Sequence, residues 1–168
     1  MTTARGARDP LRLGIVGCGS VTRYRHLPTL RRVPEIQVVA LADVDPVALA
    51  DVADRIGVSR RHTSARSLAE DPQVEAVAVC VPVTAHSEVA LAAIEAGKDV
   101  FVEKPLARHL EEANHLLERA AGSPSRMLMG FNLRWHRHLQ AARRLVAAGA
   151  LGRVHALRTV FKIGRAHV

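Results

Sequence analysis

Short aliphatic runs of four to six residues recur along this chain, each followed by a turn residue and then by a stretch of helical periodicity. This alternation leaves few folds open. Two strands that run the same way need a crossover of about a dozen residues, and a helix is the usual filler. Strands covered by helices on both faces read as near-continuous apolar runs. Leu11–Val16 (LRLGIV), Gln37–Ala42, Ala76–Val81 (AVAVCV), Asp99–Val102 and Met127–Gly130 are runs of this kind, and His62–Ser64 is a candidate short strand between them. Helices are expected over Thr22–Arg32, with Pro28 a candidate break, and over Pro46–Ile56, where Pro46 suits a first turn and Gly57 a C-terminal stop. Further helices are expected over Thr84–Ala96, capped by Thr84 and stopped by Gly97, and over Leu110–Ala121. A last one, Arg134–Ala148, sets Trp135, Leu139, Ala142 and Val146 at helical spacing before Gly149. The pattern predicts an α/β fold with a doubly wound parallel sheet. Hydrophobic residues make up 48% of the 168 and aromatics only 3%, so the core must be aliphatic, as such sheets require.

The first run ends in Gly17-Cys18-Gly19-Ser20-Val21-Thr22. Gly17 permits a tight turn, Gly19 lets the backbone approach a pyrophosphate, and the following helix aims its N-terminal N–H groups, from Ser20 and Val21 onward, at that anion. Thr22 stands where a Rossmann domain usually has a third small residue. Asp43, at the end of the second strand, is placed to accept hydrogen bonds from the ribose hydroxyls of NAD, or else to start a turn. Its charge disfavours a 2′-phosphate, so NAD is expected over NADP, although Arg60 and Arg61 remain candidates for the adenine end. Two further groups follow strand ends, Val81-Pro82-Val83-Thr84-Ala85-His86 and Glu103-Lys104-Pro105. Open α/β sheets bind ligands at these carboxyl ends, and a lysine held there suits a hydrogen bond to a reacting oxygen during hydride transfer.

The net charge of +8 is unevenly spread. Residues 1–118 hold fourteen Lys and Arg against sixteen Asp and Glu, whereas residues 119–168 hold ten Lys and Arg and no acid. A basic tail is one mark of nucleic-acid binding. No known nucleic-acid fold is visible and few aromatics are available for stacking, so no nucleic-acid partner is expected. There is no apolar run long enough to span a membrane and no secretory signal in the first ten residues. Cys18 and Cys80 fit a reducing compartment and match no metal spacing, so the reading is cytoplasmic, without a metal.

Residues 77–107, VAVCVPVTAHSEVALAAIEAGKDVFVEKPLA, resemble the Gfo/Idh/MocA oxidoreductase family. GIVGCGSVTRYRHLPTL (14–30) is similar to that family's dinucleotide turn, and residues 130–154 are similar to its passage into a second domain. The resemblance implies an N-terminal NAD(P)-binding Rossmann domain followed by an α/β domain. It also implies hydride transfer between nicotinamide and a hydroxyl or carbonyl of a sugar, inositol or related polyol. It assigns Lys104 to the nicotinamide and the reacting oxygen, His86 to the neighbourhood of the cofactor, and Asn132 and Arg134 to the nicotinamide or substrate. Val81, Pro82, Glu103 and Pro105 would shape the nicotinamide side. Val83 stands where the family often has Asn, and Arg134-Trp135-His136-Arg137 lacks the proline of its usual Arg-x-x-Pro. The family also includes regulators that bind NAD(P) without turnover, which is the alternative reading.

The expected organisation is a disordered tail over 1–10, a dinucleotide domain over 11–150 and a break at Gly149–Gly152. The first strand of a second, truncated domain is expected over 151–161, with Val154–Phe161 extended. Residues 162–168, Lys-Ile-Gly-Arg-Ala-His-Val, read as a translated sequencing adaptor and are set apart from the fold. The family's second-domain Asp and His find no counterpart, and homo-oligomerisation is expected to lie in that domain.

Overall fold

Six parallel strands hydrogen-bond in the order β3-β2-β1-β4-β5-β6, the arrangement the alternating runs predict. The protein is represented by a computed structural model that describes residues 9–160. Residues 1–8 of the tail expected over 1–10, Phe161 and the adaptor-like 162–168 lie outside them. The strands are β1 Leu11–Val16, β2 Ile36–Ala42, β3 Arg60–His62, β4 Ala76–Val79, β5 Asp99–Val102 and β6 Met127–Met129. The chain starts at β1, moves outward through β2 and β3, then crosses back to β4 on the other side of β1. That reversal opens a crevice between the carboxyl ends of β1 and β4, where open sheets bind ligands.

Alternating strand residues feed two cores. Leu13 and Ile15 of β1, Leu41 of β2 and Ala78 of β4 pack with Leu27, Leu49, Val52 and Ala53 from helices α1 (Leu27–Leu30) and α2 (Pro46–Ile56). Val16, Val77, Val79, Val100 and Val102 pack on the other face with α3 (Ala65–Ala69), α4 (His86–Glu95) and α5 (Leu110–Ala121). Each fully buried Val, Leu or Ile contributes about 1.5–3 kcal/mol. Gly14 keeps this second layer close, since a Cβ there would lie 2.6 Å from Leu68 Cδ2 of α3.

β1, α2, β5 and α5 fall where the sequence places them. Gly57 ends α2 in the left-handed conformation, φ 73°, and Asp45 caps its start by accepting from Val47 N–H. Pro28 does not break the first helix. The chain instead widens into a π-helical stretch, Thr22–His26, closed by Leu27 N–H donating to Thr22 O, and Pro28, which has no N–H to place, enters the first turn of α1. Thr84 does not cap α4. It lies in a 3-10 turn, Val83–Ala85, closed by Ala85 N–H on Pro82 O, so the helix proper begins at His86. The third strand lies two residues earlier than expected because Ser64 leaves the sheet to cap α3, accepting from Ser67 N–H.

The described residues form two compact units that divide between Gly130 and Phe131. The last bond into the sheet is Gly130 N–H to Val102 O, 2.8 Å, and the chain then leaves it, well ahead of the break expected at Gly149–Gly152. The second unit holds a 3-10 turn, Asn132–Trp135, and α6, Arg137–Ala147. Trp135 is therefore off the helix, separated from it by the extended His136, and is exposed. Residues 154–160 form no strand, because a strand needs a ladder partner and none pairs with them among the described residues. No helix among the described residues is long and apolar enough to cross a membrane.

Candidate functional site

The two glycines of the turn after β1 have different roles. Gly17 has φ 101°, and a Cβ on it would lie 2.4 Å from Cys80 O at the end of β4. Only glycine lets the two strand ends approach so closely. Gly19 is different: a Cβ there would meet nothing within 4 Å, so its backbone faces open space. The first intrahelical bond is Arg23 N–H to Gly19 O, 3.0 Å, which leaves the N–H groups of Ser20 and Val21 ahead of the helical ladder. Ser20 is exposed and Val21 is 41% exposed. The turn therefore fits a phosphate in both space and donors.

Three contacts fix the turn. Thr22, fully buried, donates from Oγ1 to Gly17 O at 2.6 Å, so the larger residue at the third position folds back onto the turn rather than spoiling it. Arg23 donates from Nε to Cys18 O at 2.7 Å and pairs with Asp51 of α2. Asp43 Oδ2 accepts from Cys18 N–H at 2.6 Å while its Oδ1 accepts from Asp45 N–H at 2.9 Å. Asp43 thus both starts the turn before α2 and ties the glycine loop to β2. Cys18 and Cys80 are buried beside it. Burial, with Asp43 adding to it, pushes the Cys18 thiol up to about 11, and burial pushes that of Cys80 up to about 12.

A cleft of about 370 Å³ opens beside this turn. Gly17, Gly19, Asp43, Val81 and Pro82 line it, as do Val44, Thr63, Ser64 and Glu88, which sequence reasoning did not single out. Thr63 and Ser64 fall in the stretch expected to be strand, and in the structure Ser64 instead caps α3 by accepting from Ser67 N–H. Arg60 and Arg61 do not line the cleft. Arg60 reaches Asp71 Oδ2 at 3.4 Å and Arg61 reaches Asp54 Oδ1 at 2.5 Å. Burial raises the Asp71 carboxyl, but the Gln73 N–H, Arg60 and His62 outweigh it and hold the group below its usual range.

The second cluster follows β5. Glu103 Oε2 accepts from Lys104 N–H at 3.0 Å, and Oε1 lies 3.0 Å from His26 Nε2. His26 packs edge-on to Phe101, with ring centroids 5.6 Å apart. Glu103 is therefore a buttress that ties the turn to the helix after β1, and no pattern in the sequence marked His26 as its partner. The Lys104–Pro105 bond is cis. The Lys104 side chain is exposed, without a hydrogen-bond or ion-pair partner among the described residues.

His86 is not a wall of the cleft. It is 2% exposed, with Nδ1 2.7 Å from Pro105 O and Nε2 3.0 Å from Val81 O. Both ring nitrogens face backbone carbonyls, so the side chain joins the loop after β4 to the loop after β5 and has no atom left for a ligand. Asn132 and Arg134 lie on the 3-10 turn of the second unit, both exposed. Among the described residues no three His, Cys, Asp or Glu gather as metal ligands.

Residues 11–131 match the model of a family described as "Oxidoreductase family, NAD-binding Rossmann fold". The chain is 31% identical over 148 residues to myo-inositol 2-dehydrogenase of Thermotoga maritima, covering 88% of this chain and 44% of that protein. It is 36% identical over 153 residues to dehydrogenase aclE of Aspergillus oryzae, covering 86% and 42%. Among solved structures, a probable dehydrogenase from Thermotoga maritima superposes with a TM-score of 0.79 at 31% identity, over 84% of this chain and 42% of that one. Scyllo-inositol dehydrogenase from Lactobacillus casei, solved with NAD(H) and scyllo-inositol, shares the fold with a TM-score of 0.81 at 24% identity, over 86% and 43%. The chain thus spans less than half the length of these relatives.

Proposed function

This chain belongs to the Gfo/Idh/MocA family of NAD-binding Rossmann oxidoreductases, and we propose that it forms the cofactor half of a dehydrogenase acting on a hydroxyl or carbonyl of a sugar, inositol or related polyol. The substrate class is suggested by relatives named as inositol dehydrogenases. A bound nicotinamide supplies the hydride acceptor or donor. The chain's own residues hold and orient it. Gly17, Gly19, Ser20 and Val21 present backbone to the pyrophosphate, and Asp43 accepts from the adenosine ribose. Val81 and Pro82 form the wall at the end of β4.

Lys104 donates a hydrogen bond to the substrate oxygen, or takes its proton, as the carbon changes oxidation state. The observation that carries this reading is the Glu103-Lys104-Pro105 turn. Its backbone is pinned on one side by Glu103 and on the other by His86, while the lysine side chain stays free. The pinned backbone fixes where the Lys104 side chain starts, and the side chain, with no partner among the described residues, is left to meet a substrate oxygen. Asn132 and Arg134 are assigned to the substrate side.

The test is to express this chain within a protein of its relatives' length and assay NAD reduction with a panel of inositols and sugars. Lys104→Met should lower kcat at least about a hundredfold, the usual worth of a general acid or base, with NAD affinity little changed. Undiminished turnover in that variant would contradict the role of Lys104.

A further inference from the structure

Among the described residues, the walls of the cofactor cleft carry two carboxylates and no Lys or Arg. Asp43 stands at the end of β2 and Glu88 in the first turn of α4. Their situations differ. Both Asp43 oxygens already accept backbone N–H groups. Glu88 is exposed and has no hydrogen-bond or ion-pair partner among the described residues. The arginines that precede the Thr63–Ser64 wall in sequence are engaged elsewhere, Arg60 with Asp71 and Arg61 with Asp54.

We infer that Glu88 is a specificity-determining residue of this cleft: its free carboxylate is a second acceptor, besides Asp43, offered to the adenosine half of the dinucleotide, and the two carboxylates together turn away a 2′-phosphate. The inference rests on reading the cleft as the dinucleotide site. An adenosine offers hydroxyl and amine donors that a carboxylate accepts well. A 2′-phosphate brought to the same place meets two negative charges and no lining cation, an interaction that weakens with distance and with salt. A carboxylate in a first helical turn also favours the helix itself, but that effect does not distinguish one dinucleotide from another.

The experiment is calorimetric titration of this chain, and of its Glu88→Gln and Glu88→Lys variants, with NAD and with NADP at low and at physiological salt. The native chain should prefer NAD. Glu88→Gln should tighten NADP about three- to tenfold while weakening NAD only slightly, and Glu88→Lys should move the ratio further, both shifts shrinking at higher salt. If both variants bind NAD and keep the native NADP-to-NAD ratio within about twofold, the role given to Glu88 is wrong, because a single nearby charge should shift it by more. If the native chain binds neither dinucleotide, it is the reading of the cleft that fails, and the inference falls with it.

Discussion

The amide of Cys18 donates to Asp43 Oδ2 at 2.6 Å, so the glycine turn after β1 and the acid after β2 are one structure. Removing the carboxylate should therefore damage both folding and cofactor binding. Asp43→Ala should cost about 1–2 kcal/mol of stability, as expected for backbone donors left without their acceptor, and lower NAD affinity at least about tenfold. Urea denaturation and calorimetric titration measure the two effects. A variant with native stability and native affinity would sever the link between turn and acid.

The two glycines of the turn should separate cleanly. Gly17→Ala places a Cβ against Cys80 O in a left-handed backbone and should cost about 3 kcal/mol or more. Gly19→Ala meets nothing and should leave the denaturation midpoint close to native, while NAD binding weakens because the backbone no longer closes on the phosphate. Equal losses of stability in the two variants would refute this division of labour.

His86→Ala should destabilise the first unit by about 2–4 kcal/mol, since it opens a cavity and removes the ring between Val81 O and Pro105 O, to one of which a neutral imidazole donates. Thermal or urea unfolding measures this. A change below about 0.5 kcal/mol, the range of an ordinary surface substitution, would show that the two loops do not depend on it.

The cysteines give a pH signature. Their thiols are held above the ordinary value of 9.0, Cys18 at about 11 and Cys80 at about 12. The folded state therefore keeps protons that the unfolded chain releases. Their contribution to stability is thus intact below about pH 9 and is lost as the pH rises from there toward 11 and 12. At pH 8 both thiols should react with a disulfide reagent at least about tenfold more slowly in the native chain than in urea, because only the thiolate is nucleophilic. Rapid native labelling would contradict the burial that causes the shift.

The sequence announced what depends on neighbours in sequence. Gly57 after α2, Pro46 at its start and the aliphatic runs of β1 and β5 act locally, and the elements stand where those signals put them. What it hid depends on residues far along the chain. Glu103 meets His26 across 77 positions, and His86 turns inward because Pro105 O lies there to receive it. Nothing in the spacing of Val81-Pro82-Val83-Thr84-Ala85-His86 distinguishes a histidine that faces a cofactor from one that braces two loops. Of the strand expected over Val154–Phe161, the described residues 154–160 form none, since the apolar pattern is legible but no partner strand pairs with it among the described residues.

Whether the cleft between the ends of β1 and β4 holds NAD can be read from amide-resolved NMR during an NAD titration. Saturable shifts are expected mainly at the amides of Gly17 to Thr22, Asp43 and Val81, with α5 undisturbed. An unchanged spectrum at millimolar NAD, or shifts that leave the glycine turn untouched, would contradict NAD binding there.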